Sequence, residues 1–148
     1  MKTVLIIDRD LGFVFWLGRV LGDAGHQVLP AKSFTEASAM LSELNTEIDL
    51  LILNPSVAGA ADFVNALRNS WPNAKVLAAL GDQDHQAGQT RNADIIARRP
   101  LQPDAAAATV WLRMVEQLLN WQSSADREGN KVGGRGSSGK SEARRRAG

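Results

Sequence analysis

The chain has 148 residues, 44% of them hydrophobic, which suits one globular domain and excludes disorder as the state of most of the sequence. The absence of cysteine excludes disulfides, thiolate zinc sites and cysteine nucleophiles, and it fits a cytoplasmic protein. No apolar run has the length of a secretory signal or a membrane-spanning helix, so the sequence predicts neither.

The net charge of +1 conceals an asymmetry along the chain. From Ser123 onward, seven Lys and Arg residues stand against three Asp and Glu residues, a net charge of +4 that leaves −3 on the preceding part. We therefore predict a globular domain over 1–122 and a disordered basic tail, rich in Gly, Ser and Arg, over 123–148. The densest charge in this tail is the run Arg144, Arg145 and Arg146.

Strand and helix patterns alternate along the predicted domain. Continuous apolar, β-branched runs predict buried parallel strands, and apolar stripes at helical spacing predict helices between them. The predicted strands span 3–7, 26–29, 50–53, 75–80 and 94–97. The predicted helices span 11–24, 33–44, 60–71 and 103–121, whereas the polar stretch 83–92 supports at most a short helix.

Single residues support the ends of these elements. Gly25 suits the left-handed position after the first helix, and Pro30 is expected to end the second strand. Ser33 and Glu36 form a capping box at the start of the second helix. Pro103 suits the first position of the last helix.

The alternation indicates a parallel sheet with helices on both faces, in which a ligand site lies at the carboxyl ends of the strands. The residues at those ends are mostly polar or charged. They are Asp8, Arg9 and Asp10 after the first strand, Asn54 after the third, Leu80 and Gly81 after the fourth, and Arg98 and Arg99 after the fifth.

Four segments in this order, VLIIDRD, DLLILNPSVAG, VLAALGD and IIARRPLQP, resemble the receiver domain of two-component response regulators. The resemblance covers about residues 1–121. It implies a flavodoxin-like, doubly wound sandwich of five β-α units, with a five-stranded parallel sheet in the order 2-1-3-4-5. It also implies phosphoryl transfer from a histidine kinase to an aspartate, assisted by Mg²⁺.

The matched positions depart from that chemistry. Asp8 keeps the first acid of the family's pair, but Arg9 replaces the second and Asn54 occupies the phosphoacceptor position. Leu80 replaces the reporting Ser or Thr, Ile96 replaces the aromatic switch residue, and Arg99 replaces the lysine.

These replacements predict that phosphorylation is lost. The formal charges of Asp8, Arg9, Asn54 and Arg99 sum to +1, which disfavours a hard divalent cation. The amide of Asn54 is a poor nucleophile, and Leu80 has no hydroxyl to donate to a phosphoryl oxygen. We therefore expect no metal, no cofactor and no enzymatic activity. Arg9 or Arg99 is expected to pair with Asp8 and to donate a hydrogen bond to the Asn54 carbonyl.

The first and last helices each carry a second apolar stripe, which the resemblance places away from the sheet. We predict that the two stripes form an interface with a second copy or with a kinase-like or effector helix. The predicted interface residues are Leu11, Val14 and Phe15 on the first helix and Leu112, Val115 and Leu119 on the last.

The sequence thus predicts a pseudo-receiver that signals through protein–protein interaction. Three alternatives remain: a receiver phosphorylated on Asp8 or Asp10, a nucleotide-binding flavodoxin-like protein, and a regulator that binds nucleic acid through its tail. The tail has no aromatic residue to stack on bases, so we do not expect nucleic acid as the partner.

Two further motifs do not carry chemistry. The stretch 134–141 matches the P-loop pattern, but it lacks the preceding strand and following helix that such a loop needs. His26 and His85 lie far apart without cysteine, and we expect no metal site or catalytic dyad from them.

Overall fold

The computed structural model describes residues 2–82 and 93–133, with side chains up to residue 120. It divides into two compact units, Met1–Val115 and Glu116–Gly148. The first unit contains the sheet. The elements in chain order are β1 (Thr3–Ile7), α1 (Leu11–Asp23), β2 (Gln27–Ala31), α2 (Phe34–Leu44), β3 (Leu50–Leu53), α3 (Ala60–Ser70), β4 (Lys75–Leu80), β5 (Ile95–Arg98) and α4 (Ala105–Gly133).

The sheet has five parallel strands in the order β2-β1-β3-β4-β5, which confirms the predicted fold class and topology. The register pairs Ile7 with Leu53 and Leu80 with Arg98. The polar segments that follow β1, β3, β4 and β5 therefore lie along one edge of the sheet.

Both faces of the central strands are buried, which explains why β1, β3 and β4 read as continuous apolar runs. Leu5 and Ile7 of β1 belong to a core cluster that contains residues of α2 and α3. Val4 and Ile6 are also fully buried, and successive side chains of a strand point to opposite faces.

The end of α1 confirms the predicted role of Gly25, whereas the predicted capping box of α2 forms only in part, because the Glu36 carboxylate accepts from the Lys32 N–H rather than from the Ser33 N–H. Gly25 has a φ of 95°, and its N–H and that of His26 donate to the carbonyls of Gly22 and Leu21. This pairing is a Schellman motif, which needs glycine at the left-handed position. Ser33 Oγ accepts a hydrogen bond from the Glu36 N–H at 3.1 Å and caps α2.

The prediction that Pro30 ends the second strand was wrong, because β2 continues through Pro30 to Ala31. This strand lies at the edge of the sheet, where a residue without an N–H group is tolerated.

Both predicted ends of the last helix also need correction. The helix begins at Ala105 after Asp104, whose carboxylate accepts from the Ala107 N–H at 2.9 Å, so Pro103 lies before the cap. It runs past Trp121 to Gly133.

Some predictions lie outside the described residues. They concern 83–92, which includes His85, and 134–148, which includes the P-loop-like stretch and Arg144, Arg145 and Arg146. The division into a domain over 1–122 and a tail remains a prediction. Within residues 2–82 and 93–133, no helix has both the length and the apolar character needed to cross a bilayer.

Replacing Ser33 with alanine should lower the free energy of unfolding by about 1 kcal/mol, because the Glu36 N–H loses its acceptor. Urea unfolding followed by circular dichroism measures this. Ser42→Ala, at an exposed position inside α2, is the matched control and should cause no loss. Equal destabilisation by both changes would contradict the assignment of Ser33 as the cap.

Candidate functional site

A cleft of about 1020 Å³ lies at the carboxyl ends of the strands in the first unit. It brings together four of the predicted pocket residues, Asp8, Arg9, Asn54 and Arg99, although they come from the ends of three strands. The cleft is also lined by Asp10 and Gly81, which the sequence placed at the strand ends, and by Phe13, Ser56 and Asp82, which sequence reasoning did not assign to it.

The centre of the cleft is an ion pair between Asp8 and Arg99. Asp8 is only 2% exposed, and Arg99 Nη1 donates to both of its carboxylate oxygens at 2.9 Å. The Arg99 backbone N–H donates to the Leu80 carbonyl at 2.8 Å, which holds the segment after β5 against the end of β4. The predicted internal pairing of Asp8 therefore occurs through Arg99.

Burial raises the pKa of Asp8 above its ordinary value, because desolvation penalises the carboxylate. The hydrogen bond from the Asp10 N–H and the charge and hydrogen bond of Arg99 oppose this shift. The pKa of Asp8 is therefore lower than burial alone would make it.

Two further contacts hold the Arg99 guanidinium in place. Asp10 Oδ2 lies 3.6 Å from Arg99 Nη1, and Asp10 Oδ1 accepts from the Phe13 N–H to cap α1. The Arg99 guanidinium carbon lies 5.7 Å from the centre of the Phe13 ring, within the range of a cation–π contact. Phe13 in turn packs edge-on against Trp111 at 5.3 Å, so α4 supports the site within the first unit.

Asn54 forms a local turn rather than a bond to arginine. Its Oδ1 accepts hydrogen bonds from the Ser56 N–H at 2.9 Å and from the Ser56 hydroxyl at 2.7 Å. The predicted hydrogen bond from an arginine to the Asn54 carbonyl is therefore corrected: Ser56 supplies the donors. The short spacing and the hydroxyl of Ser56 are typical of an Asx turn, a signal that sequence reasoning missed.

The other predicted pocket residues have different environments. Arg9 lines the cleft but is exposed and makes no ion pair within the described residues. Leu80 is fully buried and contributes its carbonyl rather than its side chain. Ile96 is 42% exposed on β5, away from the cleft lining.

The predicted charge of the pocket also needs correction. Three carboxylates, of Asp8, Asp10 and Asp82, line the cleft with two guanidiniums, so its formal charge is −1 rather than +1. The sequence count of +1 summed only Asp8, Arg9, Asn54 and Arg99, so it left out Asp10 and Asp82.

This donor set does not fit the Mg²⁺ that the receiver fold implies. Hard cations need free oxygen ligands, but both oxygens of Asp8 accept from Arg99 and one oxygen of Asp10 caps α1. Among residues 2–82 and 93–133, no cluster of three or more His, Cys, Asp or Glu side chains could hold a metal.

The predicted apolar interface is only partly on the surface. Leu11 and Phe15 are 43% and 64% exposed, and Leu112 is partly exposed. The predictions for Val14, Val115 and Leu119 were wrong, because these side chains are buried. On α1 the buried face includes Val14 beside Phe13, Leu17 and Leu21, so it is wider on this side than predicted.

Comparison with solved structures finds receiver domains. A CheY-like receiver domain from Methanospirillum hungatei JF-1 is 18% identical, with a TM-score of 0.70 over 84% of this chain and 98% of that one. TrrA from Thermotoga maritima, solved with Mg²⁺ and beryllofluoride, is 19% identical, with a TM-score of 0.61 over 80% and 99% of the two chains. The beryllofluoride-activated NtrC4 receiver domain, a dimer in solution, is 16% identical, with a TM-score of 0.66 over 82% and 99%.

No protein-family model and no curated protein matches the sequence. At these identities the structural likeness establishes the fold. The chain therefore has the CheY-like, flavodoxin-like fold of receiver domains.

Replacing Arg99 with methionine should lower the free energy of unfolding by about 2–3 kcal/mol near neutral pH, because Asp8 loses its partner. The folded state already holds the Asp8 proton to higher pH than the unfolded state, and removing Arg99 raises this pKa further. The loss should therefore shrink in mild acid, where Asp8 is protonated. Urea unfolding at neutral pH and in mild acid measures this loss of stability.

Two controls isolate the pair. Arg98→Met removes the neighbouring guanidinium, which is exposed and donates to the Gly81 carbonyl, and should cause a smaller loss without this pH dependence. Asp8→Asn combined with Arg99→Met removes both charges and should recover part of the stability. Identical pH profiles for Arg98→Met and Arg99→Met would contradict the role assigned to the ion pair.

Proposed function

We propose that the chain is a receiver-like signalling protein that works without phosphorylation and has no catalytic role. The observation that carries this proposal is the Arg99 guanidinium, which donates to both oxygens of Asp8 at 2.9 Å. With both oxygens engaged, this buried acid has none free to ligate a metal ion. The site is thereby filled by the chain's own side chain.

The acceptor position supports the same proposal. Asn54 is 7% exposed, carries no charge, and uses its carbonyl oxygen in the turn with Ser56. An amide in this arrangement lacks the nucleophilic oxygen that phosphoryl transfer needs. The family's response to a phosphoryl group would also be missing, because the Leu80 side chain is buried and has no hydroxyl.

A protein with this site would hold one conformation and signal through its surface. The exposed apolar side chains of Leu11 and Phe15 lie one helical turn apart at the start of α1. Exposed residues of this size mark protein–protein contacts more often when they adjoin one another. We propose that this surface binds a kinase-like or effector protein, or a second copy of the chain, in the cytoplasm.

A second candidate is a receiver phosphorylated on a neighbouring acid. Asp10 favours it, because its side chain is 52% exposed and it lines the cleft. Asp8 is a poorer candidate, since its two oxygens are already hydrogen-bonded to Arg99.

Incubation with acetyl phosphate and Mg²⁺ should leave the intact mass of the wild-type chain unchanged, because the Asn54 amide is a poor nucleophile and both oxygens of Asp8 accept hydrogen bonds from Arg99. Intact-mass spectrometry is the measurement. An adduct mapped to Asp10 would replace the proposal by the second candidate, and an adduct on Asp8 or Asn54 would contradict the account of the ion pair. Arg9→Asp combined with Asn54→Asp and Arg99→Lys restores the family's residues and serves as the comparison.

Phe15→Asp should abolish assembly without lowering the free energy of unfolding by more than about 0.5 kcal/mol, because Phe15 is exposed. Sedimentation velocity tests self-association, and cross-linked affinity capture tests other proteins. Asn65→Asp adds the same charge at an exposed position of α3 and is the matched control. Assembly equal to wild type in Phe15→Asp would remove the α1 surface from the proposal.

A further inference from the structure

A second pocket lies beside the cleft, where the chain leaves β1, β2 and β3. It encloses about 600 Å³, a volume within the range of small-molecule sites. Its principal lining residues are Arg9, Leu11, Lys32, Phe34, Thr35 and Val57. In open α/β sheets, ligands bind outside the carboxyl ends of the strands, at the point where the strand order reverses, and β1 and β3 flank that point here.

The apolar part of the second pocket is held by contacts that need no ligand. The Phe34 ring packs against Phe63, with 4.8 Å between the ring centres. Val57 is 7% exposed, its N–H donates to the Asn54 carbonyl, and its own carbonyl accepts from the Ala60 N–H. These walls are therefore preformed.

Leu11 completes the apolar part from the other side. It is the first residue of α1 and is 43% exposed, so it offers the pocket a large apolar side chain with room to gain contacts. A ligand that covers Leu11, Phe34 and Val57 would remove apolar surface from water, which stabilises binding.

Two cations border these apolar walls. Arg9 and Lys32 are exposed, and within the described residues no ion pair joins either of them to a carboxylate. The nearby acids have other partners: Asp10 caps α1 and faces Arg99, and Glu36 accepts from the Lys32 backbone N–H at 2.9 Å. The lining of the second pocket therefore has a formal charge of +2 and no acid.

We propose that the second pocket binds a small organic anion. Its carboxylate, sulfonate or phosphate group lies at Arg9 and Lys32, where the Thr35 hydroxyl offers a further hydrogen bond. Its apolar or aromatic part contacts Leu11 and Val57. This ligand would give the protein an input that does not depend on phosphorylation.

Anilinonaphthalene sulfonate has this chemistry, because it joins an aromatic body to one anionic group, and its fluorescence reports binding. In titrations of the full chain, Arg9→Gln and Lys32→Gln should each weaken its binding about two- to fivefold, and the double variant about tenfold. Leu11→Gln should also weaken it. Arg19→Gln, an exposed change on α1 outside the pocket, should leave the affinity unchanged.

Phenylnaphthylamine, the neutral analogue, separates the charge from the apolar contact. It should bind more weakly than the sulfonate to the wild type, and the loss of Arg9 and Lys32 should not affect it. Equal losses for both probes would indicate damage to the fold rather than removal of an anion site and would overturn the proposal.

The position of the probe is tested by amide chemical shifts in the full chain. Changes at Leu11, Lys32, Thr35 and Ala58 would support the second pocket. Unchanged affinity in the double variant, or shifts confined to Phe15 and its neighbours, would overturn the proposal. Because Lys32 takes no part in the Asp8–Arg99 pair, either result leaves the proposed function to its own test.

Discussion

The ion pair between Asp8 and Arg99 is the constraint on which the site depends. A carboxylate that is 2% exposed is costly to ionise, and a partner with two hydrogen bonds offsets much of that cost. The partners are 91 residues apart, so the bond forms only when the register of β1, β3, β4 and β5 is correct. The sheet positions the pair, and the pair lies at the carboxyl ends of its strands.

Fold prediction succeeded where one physical cause dominated. Strands buried on both faces need continuous apolar runs, so β1, β3 and β4 had the predicted bounds. Pro30 was misread because its effect depends on whether a strand is central or at the edge, which local sequence does not specify. Val14 was misassigned because neighbouring apolar stripes differ by one step of rotation, and only packing selects between them.

The sequence predicted which residues line the site better than it predicted the hydrogen bonds between them. Residues at strand ends had to meet, but sequence could not choose between Arg9 and Arg99 as the partner of Asp8. The structure shows the choice in geometric terms: Arg99 follows β5 and reaches across the edge to Asp8, whereas Arg9 is exposed beside α1. Asp82 and Ser56 were missed because they stand in the matched segments at positions to which the resemblance assigns no role.

The choice of Arg99 has a consequence for Arg9. The Arg99 guanidinium donates to both oxygens of Asp8. Arg9 therefore does not pair with this carboxylate. Arg9 lines both the cleft and the second pocket, and Lys32 adds a cation on the far side from Arg99. Arg99 thus pairs with Asp8, whereas the positive charge of Arg9 faces the apolar walls of the second pocket. The cleft thus holds its own cation at Asp8, whereas the anion proposed for the second pocket contacts Arg9 and Lys32.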